Sequence, residues 1–533
     1  MSVLWVAVTY DYVIVGAGSA GCVLANRLSA NPNNRVLLLE AGPRDWHPFI
    51  HMPAGIAKLV NRKSINWDYT TEPQPQLNDR RLWWPRGRVL GGSSSINAMC
   101  YIRGDARDYD EWARLAGDER WAWRNVLPLF KRSEGNTRPS DDLHGNDGPL
   151  SVSDLRHRNE LSQALIDAAA ERGYPRNPDF NGPAQQGFGF YQVTQKNGAR
   201  CSTAAGFLRA ARARSNLRVL THALTQRVLI ESGRAVGVDY RHRGRLTRAE
   251  AREVILCGGT INSPQLLMLS GVGPADHLRK HEIRVALDSR GVGENLQDHL
   301  DVCVLQRSTK PVTYDRLSDT RVALRYLIRR DGPGTSNIAE SGGFLRSRFA
   351  EDGRCDMQFH FVPGLLDDHG RHRMDGYGYT LHACALRPKS RGSIKLTSAD
   401  PATKALIQPN YLSDADDYDL RMLIEGVKLS RDLFAAKSFD NYRGEEIFPG
   451  AEIKSGADID AFIRRKAETI YHPIGTCRMG SDDNAVVDSE LRVHGVCGLR
   501  VVDASVMPCL PGGNTNAPTV MIAEQAADLI LRT

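Results

Sequence analysis

Three segments group residue types that can do chemistry. Tyr471-His472-Pro473-Ile474-Gly475-Thr476-Cys477 sets an imidazole beside a proline-stiffened turn. Histidine exchanges its proton near neutral pH, so His472 is a candidate acid or base. Taken alone, the segment also fits a core histidine bonded to backbone. Gly512-Gly513-Asn514-Thr515-Asn516 offers side-chain amides in a glycine turn, where an N–H can steady a developing negative charge. Gly16-Ala17-Gly18-Ser19-Ala20-Gly21, with Glu40 following 19 positions after Gly21, has the chemistry of a dinucleotide cradle. Gly16 permits the tight turn, Gly18 lets backbone approach a pyrophosphate, and Gly21 lets helix pack on strand. Glu40 can accept both hydroxyls of an adenosine ribose, and its charge disfavours a 2′-phosphate.

The elements around these residues must position them. Asp11-Tyr12-Val13-Ile14-Val15 reads as a buried parallel strand, β-branched and without polar alternation. A helix follows over 22–28 and a second strand over 35–39. The free N–H groups and positive end of that helix suit a pyrophosphate. A second glycine cluster runs from Arg86 to Asn97. Its Gly91-Gly92 pair lets backbone lie against a flat or phosphorylated ligand, and Ser93, Ser94, Ser95 and Asn97 add short polar groups. The apolar flank of Val89, Leu90, Ile96, Ala98 and Met99 argues for a buried loop, whose backbone needs partners. Residues 217–237 read as a strand pair turning at Ser232-Gly233. Glu253 to Cys257 reads as a strand, followed by a helix opened by Ser263 and Pro264. Met357 to Val362 reads as a strand of a second domain. Leu499 to Ser505 reads as a strand ending in Asp503. The last helix spans 519–531, with Asn516 as its N-cap and Pro518 in its first turn.

Composition bounds the rest. The chain has 533 residues, 41% hydrophobic and 25% charged, with mean hydropathy −0.38. At ~150 residues per domain this is about three domain-sized units. It is neither a disordered nor a fibrous composition. No run reaches the ~18 apolar residues of a membrane span. The net charge of +7 is scattered, with no basic stretch that would track nucleic acid. Ten cysteines without a Cys-x-x-Cys pair exclude a zinc ribbon and read as small buried hydrophobes in a reducing compartment. The apolar segment 1–8 lacks the features of a signal peptide and runs into the first strand. The expected location is cytoplasmic, with peripheral association at a membrane as the variant. The oligomeric state is not legible. His277 and His281 have a metal-ligand spacing but no third ligand, and read as a solvated helix face; no metal is expected. His299 reads as structural. His369 and His372 lie in a polar loop without a role.

Together the motifs resemble the glucose-methanol-choline (GMC) family of FAD-dependent oxidoreductases. The resemblance covers Tyr10 to about Leu531. It rests on Gly16–Gly21 with Glu40, Arg86–Asn97, Gly258–Pro274, the run Gly291 to His299, and the pair His472 and Asn514. Tyr-His-Pro-x-Gly-Thr-Cys and Gly-Asn-Thr-Asn are most similar to choline-dehydrogenase-like members. The resemblance implies an α/β fold, an FAD-binding Rossmann-like domain interleaved with an α+β substrate domain on an antiparallel sheet. The first would hold 1–155, 196–304 and 465–533, the second 156–195 and 305–464.

By resemblance, Gly16, Gly18, Gly21 and Glu40 hold the ADP half of FAD, with Ser19, Ala20 and Ala41 beside them. Val89, Gly91, Ser93, Asn97, Ala98 and Met99 would lie along the pyrophosphate and flavin, and Val228 at the adenine. Asp503 and Ala504 would follow the ribityl chain, Asn516 and Pro518 the pyrimidine edge, with Cys257 and Tyr471 also at the cofactor. Ile96 stands where some members carry a histidine that binds FAD covalently, so dissociable FAD is expected. The implied reaction oxidises a primary alcohol by hydride transfer to flavin N5, with His472 as base and Asn514 holding the oxygen. The substrate would be a small-molecule alcohol and the electron acceptor a quinone, a dye or oxygen. Choline is the alternative substrate, with Glu340 as the residue that would face its cation; a surface or loop-anchoring acid is an equal reading of Glu340. Readings of another class are an NAD-linked dehydrogenase and a non-catalytic dinucleotide-binding module.

Overall fold

The computed structural model describes residues 9–59, 61–372 and 374–532. The apolar segment 1–8 lies outside them. Two sheets organise the chain. The first has a parallel core of five strands in the order Leu217–Leu220, Val36–Leu39, Tyr10–Val15, Arg245–Leu256 and Leu499–Val501. Val13, Ile14, Leu38, Val254 and Ile255 are fully buried, as expected of strands covered on both faces. The strand Arg245–Leu256 runs beyond the five residues expected of it. Its first half pairs antiparallel with Arg234–His242, which pairs in turn with Ala223–Glu231. The turn between those last two falls at Ser232-Gly233 as read.

The second sheet is antiparallel throughout. Its order is Arg443–Phe448, Leu300–Ser308, Gly378–Ala385, Met357–Val362, Ser341–Leu345 and Gly187–Phe190, with Glu468–Thr469 also pairing to Leu300–Ser308. The expected division at 304/305 falls inside Leu300–Ser308, and the piece from 465 onward begins in the helix Gly456–Lys466 and adds Glu468–Thr469 to this sheet. Leu300–Ser308 pairs only with strands of this second sheet.

Two helix starts differ from the sequence reading. The helix expected to open at Ser263 spans Gly259–Leu269, which puts Pro264 inside it. Proline cannot donate to the carbonyl four residues back. That carbonyl, of Thr260, accepts instead from the Thr476 hydroxyl at 2.6 Å. Ser263 is thus not a cap; its hydroxyl donates to Asp503 at 2.6 Å. The last helix spans Asn516–Leu531, with Thr515 rather than Asn516 at the N-cap. Asn516 instead accepts a bond from the Ser19 hydroxyl at 2.7 Å, which ties the last helix to the first. Among the described residues no helix is long and apolar enough to cross a membrane.

Candidate active site

A cavity of about 860 Å³ runs between the two sheets from the first glycine turn to His472 and Asn514. Its first end is made mostly of backbone. Gly16 has φ +104°, and a Cβ there would lie 2.4 Å from the Cys257 carbonyl. A Cβ on Gly92 would lie 2.7 Å from the Gly18 Cα. The two glycine loops therefore sit against each other, joined by the Gly91 N–H donating to Ala17 at 2.7 Å. Gly16, Gly18, Ser19 and Ala20 line the cavity, as do Glu40 and Ala41 at the end of the second strand. Ser93, Asn97, Ala98 and Met99 line it from the second loop, with Cys257, Asp503, Ala504, Asn516 and Tyr471 opposite.

Other expected contacts stand off the cavity. Gly21 serves packing, since a Cβ there would meet the Gly16 carbonyl at 1.9 Å. Val89 is buried in a small apolar cluster with Ile50, Leu59, Ile65 and Ile96. Gly91 and Pro518 shape the loop and the last helix without reaching the cavity wall. Val228 needs correction. Its side chain is buried in the core of the first domain, and Ala223, Leu224 and Thr225 line the cavity from that strand instead. A register shift between Thr225 and Arg227 breaks the alternation on which a face assignment depends.

Glu40 is buried, and its two oxygens accept from Ala17 N–H at 2.9 Å and Gly42 N–H at 2.8 Å. Burial nevertheless pushes its carboxyl up to about 7. Each oxygen keeps a lone pair for a further donor, which suits ribose hydroxyls. Asp503 accepts from Gly259 N–H at 2.8 Å, at the N-terminus of a helix where an anion is stabilised. Arg86 and Arg88 line the cavity, and each has a buried Nε without a partner. A cradle in which Gly16, Gly21 and Gly92 leave no room for a Cβ, with spare donors on two arginines, fits an anionic cofactor such as FAD.

The far end of the cavity is made of side chains. His472 is buried, 8% exposed, between two partners. Its Nε2 lies 3.1 Å from Asn514 Nδ2, and its Nδ1 lies 3.0 Å from His299 Nδ1. The His472 N–H donates to Asp298 Oδ1 at 2.7 Å. Asp298 Oδ2 accepts from Tyr411 at 2.5 Å and from the Thr469 hydroxyl. The residue before the imidazole, Tyr471, has φ +66°, and Arg86 bonds its carbonyl at 2.7 Å. Asn514 is oriented by Gln358 Nε2, which donates to its Oδ1 at 3.1 Å. Burial, then the neighbouring His299 and His360, hold His472 well below the ordinary histidine range. It is therefore neutral, and able to accept a proton, at neutral pH.

Several residues at this end were missed. His299, read as structural, touches the His472 ring. His360, His369 and His382 all line the cavity. Cys303, His382 and His360 are directly opposed on three adjacent antiparallel strands. Asp301 Oδ2 lies 2.6 Å from His382 Nδ1, and Cys303 Sγ lies 2.9 Å from it. No single strand signals such a row; it exists only once the register is known. His369 packs its ring 5.4 Å from that of His382. His277, expected on a solvated face, accepts the Leu396 N–H at 3.0 Å.

Glu340 also needs correction. It is fully buried, and it accepts from Asn159 N–H at 2.7 Å, Ser162 Oγ at 2.8 Å, Ser336 Oγ at 2.6 Å and the Tyr314 hydroxyl. Those four donors fill its lone pairs, so it anchors loops behind the cavity and does not face a substrate.

Comparison with known proteins decides the family. Residues 10–301 and 388–523 match the N- and C-terminal models of GMC oxidoreductases. The chain is a GMC oxidoreductase. It is 52% identical over 532 residues to an alcohol dehydrogenase [acceptor] of Pseudomonas putida, covering 98% of this chain and 96% of that protein. It is 48% identical to the mitochondrial choline dehydrogenase of Mus musculus, covering 98% of this chain and 89% of the relative. The fold matches the crystal structure of pyridoxine 4-oxidase with a TM-score of 0.91 at 34% identity, covering 98% of this chain and all (100%) of that one. This GMC oxidoreductase is an FAD-dependent enzyme acting on CH–OH donors.

Proposed function

We propose that this GMC oxidoreductase oxidises an uncharged primary alcohol to its aldehyde, with His472 as the base. The observation that carries the reading is the pairing of His472 Nε2 with Asn514 Nδ2 at 3.1 Å on the cavity wall. When bound, FAD supplies the acceptor for the hydride of the carbinol carbon. An alcohol gives up that hydride readily only as its hydroxyl proton leaves. His472 takes the proton at Nε2, which burial keeps free of one at neutral pH. Asn514 directs its N–H at the oxygen as negative charge grows there. Thr515 and Asn516 open the last helix at the cavity, so its positive end favours the electron-rich reduced cofactor.

The substrate end supports an uncharged alcohol. Ile338, Ala339, Val362 and Leu366 line it, and Glu340 is withdrawn behind them. Choline remains the second reading because of the choline dehydrogenase relative and because Trp83 and Tyr471 offer aromatic faces. We expect FAD to be held non-covalently. Ile96 offers no nucleophile, and burial pushes the nearby Cys100 thiol up to about 12 and the Cys257 thiol well above the ordinary cysteine range. Acid precipitation should leave the yellow colour in solution; colour in the pellet contradicts this. A dye or quinone is expected to outpace oxygen as acceptor. The test of substrate class is anaerobic bleaching of the bound flavin by 1-alkanols and by choline. Faster bleaching by choline at equal concentration would reverse the preference.

A further inference from the structure

The run Gln297-Asp298-His299 has no part in the reaction as described so far, yet all three residues grip the His472 segment. Gln297 exchanges two backbone bonds with Ile474, at 3.2 and 2.9 Å. Asp298 accepts the His472 N–H at 2.7 Å. His299 meets the imidazole itself, Nδ1 to Nδ1 at 3.0 Å. Two ring nitrogens at that distance bond only if one carries a hydrogen and the other a lone pair. The hydrogen's place is decided by groups on either side.

On one side, His299 Nε2 lies 3.1 Å from the Leu386 carbonyl oxygen. A carbonyl only accepts, so His299 Nε2 carries the hydrogen. Burial pushes His299 down to about 4, so at neutral pH it holds that one proton and its Nδ1 is bare. The His472 Nδ1 must then be the donor. On the other side, the Tyr191 hydroxyl donates to the Phe359 carbonyl at 2.6 Å. Its oxygen is left to accept, which it does from Gln358 Nε2 at 3.3 Å. The same Gln358 nitrogen donates to Asn514 Oδ1 at 3.1 Å, turning Asn514 Nδ2 towards His472 Nε2. An amide N–H bonds a ring nitrogen only where that nitrogen is bare. The His299 side thus ends on a backbone carbonyl and requires the Nδ1–H tautomer of His472; the Gln358 side, where the same amide nitrogen also lies 3.2 Å from His360 Nε2, agrees with it.

We propose that His299 is a positioning residue that holds His472 in the Nδ1–H tautomer, so that a bare Nε2 faces the cavity as proton acceptor. The inference rests on His472 being the base. In the reaction the O–H bond breaks and its proton goes to Nε2. The C–H electron pair leaves as hydride to the bound FAD, and an aldehyde remains. The imidazolium keeps its Nδ1–H bond to the His299 lone pair, which shares the new positive charge. The charged and titratable groups around His472 are His299, His360, Arg86 and Asp298.

The test is ¹⁵N NMR of histidine-labelled holoenzyme, with anaerobic flavin reduction measured across pH in the same samples. His472 should show a protonated Nδ1 and a bare Nε2. His299→Phe should let the ring adopt the other tautomer and slow reduction by about 100-fold, the lower range of a general base's worth. FAD content and alcohol affinity should be kept. His299→Asn should recover to within about tenfold of wild type, because its amide oxygen can accept where Nδ1 does. A bare Nδ1 on wild-type His472 overturns the proposal even if neither variant folds, and so does His299→Phe with an unchanged rate. His472→Ala separates the two ideas. If it is slow while His299→Phe is not, only the positioning role fails; if it reduces normally, the base assignment itself fails.

Discussion

The two ends of the cavity are built from different material. At the cofactor end, glycine backbones from two loops meet with no room for a Cβ, and Glu40 is held by two backbone N–H groups. At the catalytic end, His299, His472, Asn514 and Gln358 form a line of side-chain contacts drawn from distant parts of the chain. One end works by shape, the other by the placement of protons. Steric changes should therefore be ruinous at the first end. Isosteric changes of chemistry should tell at the second, with the fold intact.

The largest effect expected is at the junction of the glycine loops. Gly16→Val puts a branched side chain into the Cys257 carbonyl at a φ of +104°. It should abolish holoenzyme, read as loss of flavin from purified protein. Normal yield of yellow enzyme would mean that the cofactor end is more plastic than its packing implies. Next comes Asn514→Ala. It removes a donor aimed at the reacting oxygen and should slow flavin reduction about 100-fold, the scale of an oxyanion donor. The enzyme should stay yellow and folded; loss of FAD instead would blur the distinction between the ends.

A smaller effect is expected at Glu40, the carboxylate beside the first glycine turn. Charged hydrogen bonds are worth roughly 1.5–3 kcal/mol, so Glu40→Ala should weaken FAD binding about tenfold or more. The sign with pH follows from its raised value. Ionising Glu40 costs the FAD-free chain stability as pH rises from 4.5 through about 7. Ribose hydroxyls offset that cost by bonding the carboxylate. FAD should bind more tightly above pH 7 than below it, and the dependence should vanish in Glu40→Ala. A pH-independent affinity in wild type would show that Glu40 does not face the ribose. The smallest catalytic effect is expected at Glu340. Glu340→Gln replaces an acceptor with a donor among four donors, so the melting temperature should fall. The KM for alcohol or choline should hardly move; a large rise for choline alone would return Glu340 to the substrate site.

The same contrast governs how much could be read from the chain. The cofactor end was legible because its parts are contiguous: strand, Gly16–Gly21, helix, strand and Glu40 follow one another in order. The second glycine loop betrayed itself by apolar flanks. His472 and Asn514 were found through the family pattern, since a single histidine beside a proline has no chemistry of its own. His299, His360 and His382 were not found as site residues. They meet only through the register of an antiparallel sheet whose strands are separated by long stretches of chain. Val228 rested on the family pattern alone, which does not tell that its side chain packs in the core while Ala223, Leu224 and Thr225 line the cavity. Of the two readings open for Glu340 the loop-anchoring one holds; an acid in a glycine-rich segment looks the same in sequence whether it faces a ligand or four buried donors. Pro264 reads as a helix start because the Thr476 hydroxyl that satisfies the freed carbonyl is remote in sequence.

The most direct test of the central claim is anaerobic stopped-flow reduction of the bound flavin by a primary alcohol, across pH, in wild type and His472→Ala. Burial holds His472 well below 6.5, so wild-type reduction should already be at its plateau at neutral pH. It should fall only on acidification, as Nε2 gains a proton. His472→Ala should reduce ~100- to 10,000-fold more slowly, the range for loss of a general base, and that acid limb should vanish while the protein stays yellow. Near-wild-type reduction by His472→Ala at neutral pH, or an acid limb that survives the substitution, would contradict His472 as the base.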